Sequence, residues 1–146
     1  MGAATQVSDG EWMLLENFID AAKRQRFGDF LRNPSKREKF LRELPDLTKI
    51  LRQDMLLQIP KNSQNPEYIF QLLKEFHAPE KCYAISLLPD LDAKNVDLRL
   101  ALNTIVGTSI PTVLSCVPSQ LIYYEGEEPG DRFIGHARRA ATGREM

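Results

Sequence analysis

The chain has little of what most site chemistry requires. Its 146 residues include two cysteines, two histidines and one tryptophan. His77 and His136 lie far apart and outside any Cys/His cluster, which leaves no zinc-ligand spacing. The segment "DLDAKNVD" brings Asp90, Asp92, Asn95 and Asp97 together, but it lacks the glycine at the sixth position and the glutamate at the twelfth that a calcium loop needs. No metal and no cofactor is therefore expected.

Other absences narrow the classes further. No apolar run approaches the roughly 18 to 20 residues that span a bilayer, so no membrane partner is expected. The opening "MGAATQVSDGEWM" has no charged stretch followed by an apolar one, and the expected setting is cytoplasmic. Gly2 is followed by Gln6 where a myristoylation signal has Ser or Thr. The turn "PKNSQNP" has no glycine, which excludes a glycine-rich dinucleotide loop there. Lys61, Ser63 and the helix start after Asn65 keep only the general capacity of a helix N-terminus to hold an anion.

Net charge is −1, but its distribution is uneven. Between Lys23 and Arg52 there are ten basic residues against four acids, a net +6. Between Glu67 and Asp131 there are ten acids against four basic residues, a net −6. Such a dipole orients encounters with charged partners.

What is present is a readable order of elements. Ser8 and Glu11 form a capping box, and Trp12, Leu15, Phe18, Ile19 and Ala22 recur at helical spacing, predicting one helix over about 9–26. Phe27, Phe30 and Leu31 carry a turn onward, with Gly28 as a kink. Asn33-Pro34 opens a second helix to about 44, and Asp46 starts a short third one with Leu47, Ile50 and Leu51. "MLLQI" at 55–59 reads as a strand. Asn65-Pro66 starts a helix with Ile69, Leu72, Leu73 and Phe76 on one face. "CYAIS" at 82–86 is a second strand, followed by a loop. Asp97 caps a helix that Gly107 ends. "TVLSCV" at 112–117 and "LIYYE" at 121–125 are strands joined by a tight turn at Pro118-Ser119. "RFIGH" at 132–136 is an optional fifth, after an acidic tip carrying Glu125, Glu127, Glu128 and Asp131.

The expected fold is a single α/β domain over 1–146. A helical region at 1–54 precedes a small mixed sheet unit, βαβαββ, at 55–136, and a frayed tail follows at 137–146. Leu57, Ile85 and Leu114 should lie on neighbouring parallel strands. In that arrangement Cys82 opens one strand while Cys116 closes another. The pair then stands at opposite ends of the sheet, as two separate buried thiols in a reducing compartment.

The order strand, helix, strand, helix, strand, strand resembles the thioredoxin fold. Ile110-Pro111-Thr112-Val113 is similar to the segment before that fold's third strand, where the family places a cis-proline, and "DRFIG" at 131–135 is similar to its closing strand. The resemblance covers about half the chain. It implies a reactive Cys-x-x-Cys near "NSQN" at 62–65, where this chain has no cysteine, so disulfide exchange of the usual kind is not expected.

No catalytic residue is assigned. Cys82 and Cys116 are the two candidate reactive thiols, with His136 the histidine nearest Cys116 in sequence, and apolar neighbours argue for burial. The leading expectation is a non-catalytic protein that binds another macromolecule, most simply a protein. Its surface would include Arg24, Arg32, Lys36, Arg37, Lys39 and Arg42. A thioredoxin-like domain without its Cys-x-x-Cys is one alternative, and nucleic-acid binding through 23–52 is another. The consecutive Trp12, Met13 and Leu14 put apolar atoms on more than one side of the first helix. Either the chain wraps that helix itself, or the helix packs on a second copy.

Overall fold

Ser8 opens the first helix as its sequence predicts. Its hydroxyl accepts from the Glu11 N–H at 3.1 Å, and the Glu11 carboxylate accepts from the Ser8 N–H at 3.4 Å. A computed structural model describes residues 8–128 and 130–137; the tail read at 137–146 lies outside that range beyond residue 137, as do residues 1–7 of the opening segment. The helix expected over 9–26 is two helices, α1 (Asp9–Asn17) and α2 (Ala21–Arg32). The break has a tertiary cause. Asp20 N–H donates to the Ile50 carbonyl at 2.8 Å and Arg52 N–H to the Phe18 carbonyl at 2.7 Å, so residues 18–20 pair with 50–52 instead of continuing the helix. Gly28 lies inside α2 and does not interrupt it. After a 3₁₀ turn at Pro34–Lys36 comes α3 (Arg37–Glu43), then 3₁₀ turns at Leu44–Lys49 and Gln53–Met55.

The second half alternates strands and helices: β1 (Leu56–Gln58), α4 (Pro66–Glu75), β2 (Lys81–Ser86), β3 (Lys94–Asp97), α5 (Leu98–Ile105), β4 (Thr112–Cys116), β5 (Leu121–Glu125) and β6 (Arg132–His136). Of the starts read from sequence, Asn65 and Asp97 cap their helices, whereas Asn33 makes no side-chain cap and the turn over Leu44–Lys49 begins before Asp46. Asn65 accepts from Tyr68 N–H at 2.8 Å, and Asp97 from Leu100 N–H at 3.0 Å. Gly107 stands just past α5 at φ +89°, a conformation open to glycine at little strain.

Helix and sheet combine in one α/β arrangement, as expected, but the sheet has six strands in the order β1-β6-β5-β4-β2-β3, and every neighbouring pair is antiparallel. The parallel core expected around Leu57, Ile85 and Leu114 is absent. Ala84 and Ile85 of β2 face Leu114 and Val113 of an antiparallel β4, while Leu57 sits on the far edge opposite Ile134. One short element explains the reversal. β3, read from sequence as loop, folds back on β2 before α5 begins. The chain therefore enters α5 running the opposite way and emerges in β4 antiparallel to β2. β1 and β2 do point the same way, joined through α4, but three strands lie between them. This order and direction depart from the thioredoxin-like arrangement, and no described peptide bond is cis, Pro111 included.

Alternation along the strands gives the sheet two apolar faces. Ile85, Val113, Ile122 and Tyr124 turn to the N-terminal helices, where Leu14, Leu15, Phe18, Phe27, Phe40 and Leu44 meet them. Ala84, Leu114, Leu121, Tyr123 and Ile134 turn to α4 and α5, against Ile69, Leu73, Leu98, Leu102 and Ile105. The sheet is thus the middle of three layers. Met13 and Leu14 are buried in the first core, so α1 is wrapped by its own chain; of the three consecutive apolar residues only Trp12 is exposed. No described helix is long and apolar enough to cross a membrane.

Candidate interaction surface

The basic segment divides by what each cation meets. Arg24 donates to the Leu15 carbonyl at 2.9 Å and the Ile19 carbonyl at 3.3 Å, capping the end of α1. Arg32 pairs with Asp29, and Arg42 with Glu38 at 3.8 Å. Arg37 is drawn inward, so it does not belong to a free surface. Its Nε and Nη2 fork onto Asp92 at 3.0 and 2.8 Å, and Nη1 donates to Glu11. Two of the residues expected on the surface, Lys36 and Lys39, are exposed without ion pair or side-chain hydrogen bond among the described residues. Lys23 and Arg26, which sequence alone did not single out, share that condition. Their signal was the spacing of three residues that sets them on one side of α2.

Lys36 and Arg26 meet in an open concavity of about 410 Å³. Ala22, Gln25, Arg26, Asp29 and Phe30 form its helical wall, recurring at positions that share one face of α2. Phe30 gives the groove its aromatic surface, with Phe27 buried against it. The Arg26 guanidinium lies 5.4 Å from the Phe30 ring centre and 5.5 Å from that of Phe27, and Phe27 stands edge-on to both Phe30 and Phe40. A cation held over aromatic rings in this way is fixed in position. The groove thus combines fixed positive charge, an aromatic surface and a small residue.

The other polar groups hold the fold together. Glu11, almost wholly buried, accepts from Arg37 and from the Tyr83 hydroxyl at 2.9 Å. Asp92 also accepts from Ser86 N–H at 3.0 Å. The network joins α1, α3 and the β2–β3 connection. Burial opposes the Arg37 charge, but hydrogen bonds and attraction from Asp92 and Glu11 outweigh it and hold the guanidinium above its usual range. Burial, reinforced by the Glu11 charge, pushes the Tyr83 hydroxyl up to about 12. Asp92 and Asp97, part of the calcium-like sequence, are thus committed to Arg37 and to the α5 cap.

Glu125 is also internal, which corrects its placement at an exposed acidic tip. It is fully buried, accepts from Tyr123 O–H at 2.9 Å and Ser109 N–H at 2.8 Å, and pairs with Arg132 at 3.2 Å. Arg132 in turn donates to Gln64. Burial, then the charge of Glu128, hold the Asp131 carboxyl above its usual range, with Asp46 and Glu127 adding to it.

The cysteines are the largest correction. Cys82 and Cys116 form a disulfide, with Cα atoms 4.8 Å apart, and neither is a free thiol. The wide separation expected of them holds only for parallel strands. In the antiparallel β2–β4 ladder the register that pairs Tyr83 with Ser115 sets Cys82 opposite Cys116. His136 stands two strands from Cys116 with Leu121 between them, its ring 4.9 Å from that of Phe76, so the two form no Cys-His pair. No group of three His, Cys, Asp or Glu side chains among the described residues is placed to hold a metal. Comparison of the chain with known families, curated proteins and solved structures returns no match.

Proposed function

We propose that this chain is a non-catalytic binding protein that docks an acidic, partly apolar segment of another protein in the groove on α2. The observation that carries this reading is the groove in which Arg26 and Lys36 meet beside Phe30, its one carboxylate, Asp29, being paired with Arg32, together with two further exposed cations on α2 and α3, Lys23 and Lys39, that make no ion pair among the described residues. Uncompensated charge raises the encounter rate with an acidic partner, and the Phe30 surface adds apolar contact. An aromatic surface with only a few cations suits an acidic peptide better than a nucleic-acid backbone, which is held by many phosphate contacts. We take the setting to be cytoplasmic. In that setting the Cys82–Cys116 bond is a transient rather than a permanent one, and cell fractionation checks the point.

The test is fluorescence anisotropy at low salt with a labelled peptide alternating Glu or Asp with Leu or Phe, beside labelled single-stranded RNA and DNA. The peptide should bind, weaken as salt rises, and lose binding in the K23E/R26E/K36E/K39E variant. Nucleic acid binding more tightly than the peptide, through the same four cations, would replace this reading with the nucleic-acid one. Absence of peptide binding at low salt would refute it.

A further inference from the structure

We propose that the Cys82–Cys116 bond is a redox switch that governs how the first turn of α1 sits on the sheet. The two cysteines are opposed at the end of the β2–β4 ladder, where β4 stops and β2 has just begun. The adjoining pair in that ladder is Tyr83 opposite Ser115. Side chains alternate across the sheet, so the sulfurs face the α4–α5 core while Tyr83 and Ser115 face α1.

Both of these residues anchor the helix. Ser115 O–H donates to the Gly10 carbonyl at 2.8 Å. Tyr83 O–H donates to Glu11 at 2.9 Å. Gly10 rests so closely on Tyr83 that a Cβ there would fall 2.5 Å from the Tyr83 Cβ. Each anchor is one residue from a bonded cysteine, so the spacing of β2 and β4 at this end sets the spacing of the two anchors. The remainder of the ladder does not depend on the bond. At its other end the Ser86 and Thr112 hydroxyls are 2.7 Å apart and hydrogen-bonded, and Cys82 and Cys116 keep their outer neighbours Val96 and Leu121. Loss of the bond therefore loosens one end of one strand pair, and α1 is what that end carries.

A cavity of about 320 Å³ opens at the same place, walled by Asp9 and Gly10 on the helix side and by Lys81, Cys82, Tyr83 and Ser115 on the sheet side. The two sulfurs are buried on the other face, in the α4–α5 core, so the thiolate of a dithiol reductant attacks Cys82 Sγ when this end of the ladder opens. The Cys82–Cys116 bond breaks, Cys116 leaves as a thiolate and takes a proton. The second thiol of the reductant then displaces Cys82, which leaves as a thiol. Two electrons pass from the dithiol to the protein, and the reductant departs as a cyclic disulfide. A disulfide oxidant reverses the sequence.

Trp12, the one tryptophan of the chain, follows Glu11 and reports on this turn. The experiment compares the oxidised protein, the protein reduced with dithiothreitol, and Cys82→Ser. Trp12 emission and the rate of chymotrypsin cleavage after Trp12 are read beside far-ultraviolet circular dichroism. Reduction and Cys82→Ser should each shift the emission to longer wavelength and speed the cleavage on the order of tenfold with secondary structure retained. Oxidised glutathione should restore the first state in the reduced protein only. Emission and cleavage that stay the same across the three would overturn the proposal. So would loss of the whole fold on reduction, or two titratable thiols persisting after oxidant.

Discussion

Arg37 offers the sharpest test of how the layers are held together. Its guanidinium makes three charge-assisted hydrogen bonds to two carboxylates, and the side chains of Glu11, Asp92 and Arg37 are only 4%, 16% and 20% exposed. Arg37→Met keeps the aliphatic stem but removes the cation. Two largely desolvated carboxylates then face each other across the gap. Removing one partner of a buried ionic set costs about 3 to 5 kcal/mol, most of it the uncompensated charge left behind. Exposure of the guanidinium at the network's edge brings the expectation to the lower end, about 3 kcal/mol. That is a large share of the roughly 5 to 15 kcal/mol by which domains are stable. If the cost is uncompensated charge, neutralising the carboxylates should recover part of it. Arg37→Met with Glu11→Gln and Asp92→Asn should be more stable than Arg37→Met alone by about 1 to 2 kcal/mol. Urea unfolding followed by circular dichroism of wild type, Arg37→Met, Glu11→Gln/Asp92→Asn and the combined variant closes the cycle. A single variant that loses under about 1 kcal/mol, the range of an exposed pair, would refute the account of Arg37 as an internal lock.

Three further outcomes follow from particular contacts. Gly10→Ala places a methyl within 2.5 to 2.8 Å of Tyr83 Cβ, Cγ and Cδ2, atoms that cannot swing away, and should cost about 1 to 3 kcal/mol in thermal unfolding despite the better helix propensity of alanine. The Tyr83 hydroxyl is raised from about 10 to about 12 in the folded chain, so the stability it contributes is complete below pH ~10 and is lost as pH rises through 12. Alkaline titration of tyrosinate absorbance should show the component near pH 12 smaller in Tyr83→Phe than in wild type, while Tyr123 and Tyr124, raised further by burial, titrate later in both. Cys82→Ser opens a loop with a sequence separation of 34 and should lower global stability by up to about 4 kcal/mol on the chain-entropy account, read as a fall in the denaturant midpoint.

Local signals were legible wherever one short stretch of chain is sufficient to define them. Ser8 with Glu11, Asn65 before Pro66, and Asp97 each cap a helix where their side chains can reach a nearby N–H. The strands around Ile85, Leu114, Tyr123 and Ile134 were visible as β-rich runs between turn residues. The charge asymmetry was visible too, but not which cations remain free. Arg37 looks like Lys36 and Lys39 in sequence. It differs because Asp92, fifty-five residues on, lies beside it.

Composition and local pattern alone determined that helices and one apolar-faced sheet would form, and where most of them begin. Tertiary pairing decided the rest. β3 is Lys94-Asn95-Val96-Asp97, polar and mostly exposed, and it becomes a strand because β2 offers it a ladder. That single pairing reverses the direction of everything after it. It brings Cys82 opposite Cys116, and it sets Tyr83 and Ser115 under α1. Strand direction depends on partners distant in the chain, and a register shared between two strands is a property of neither strand by itself.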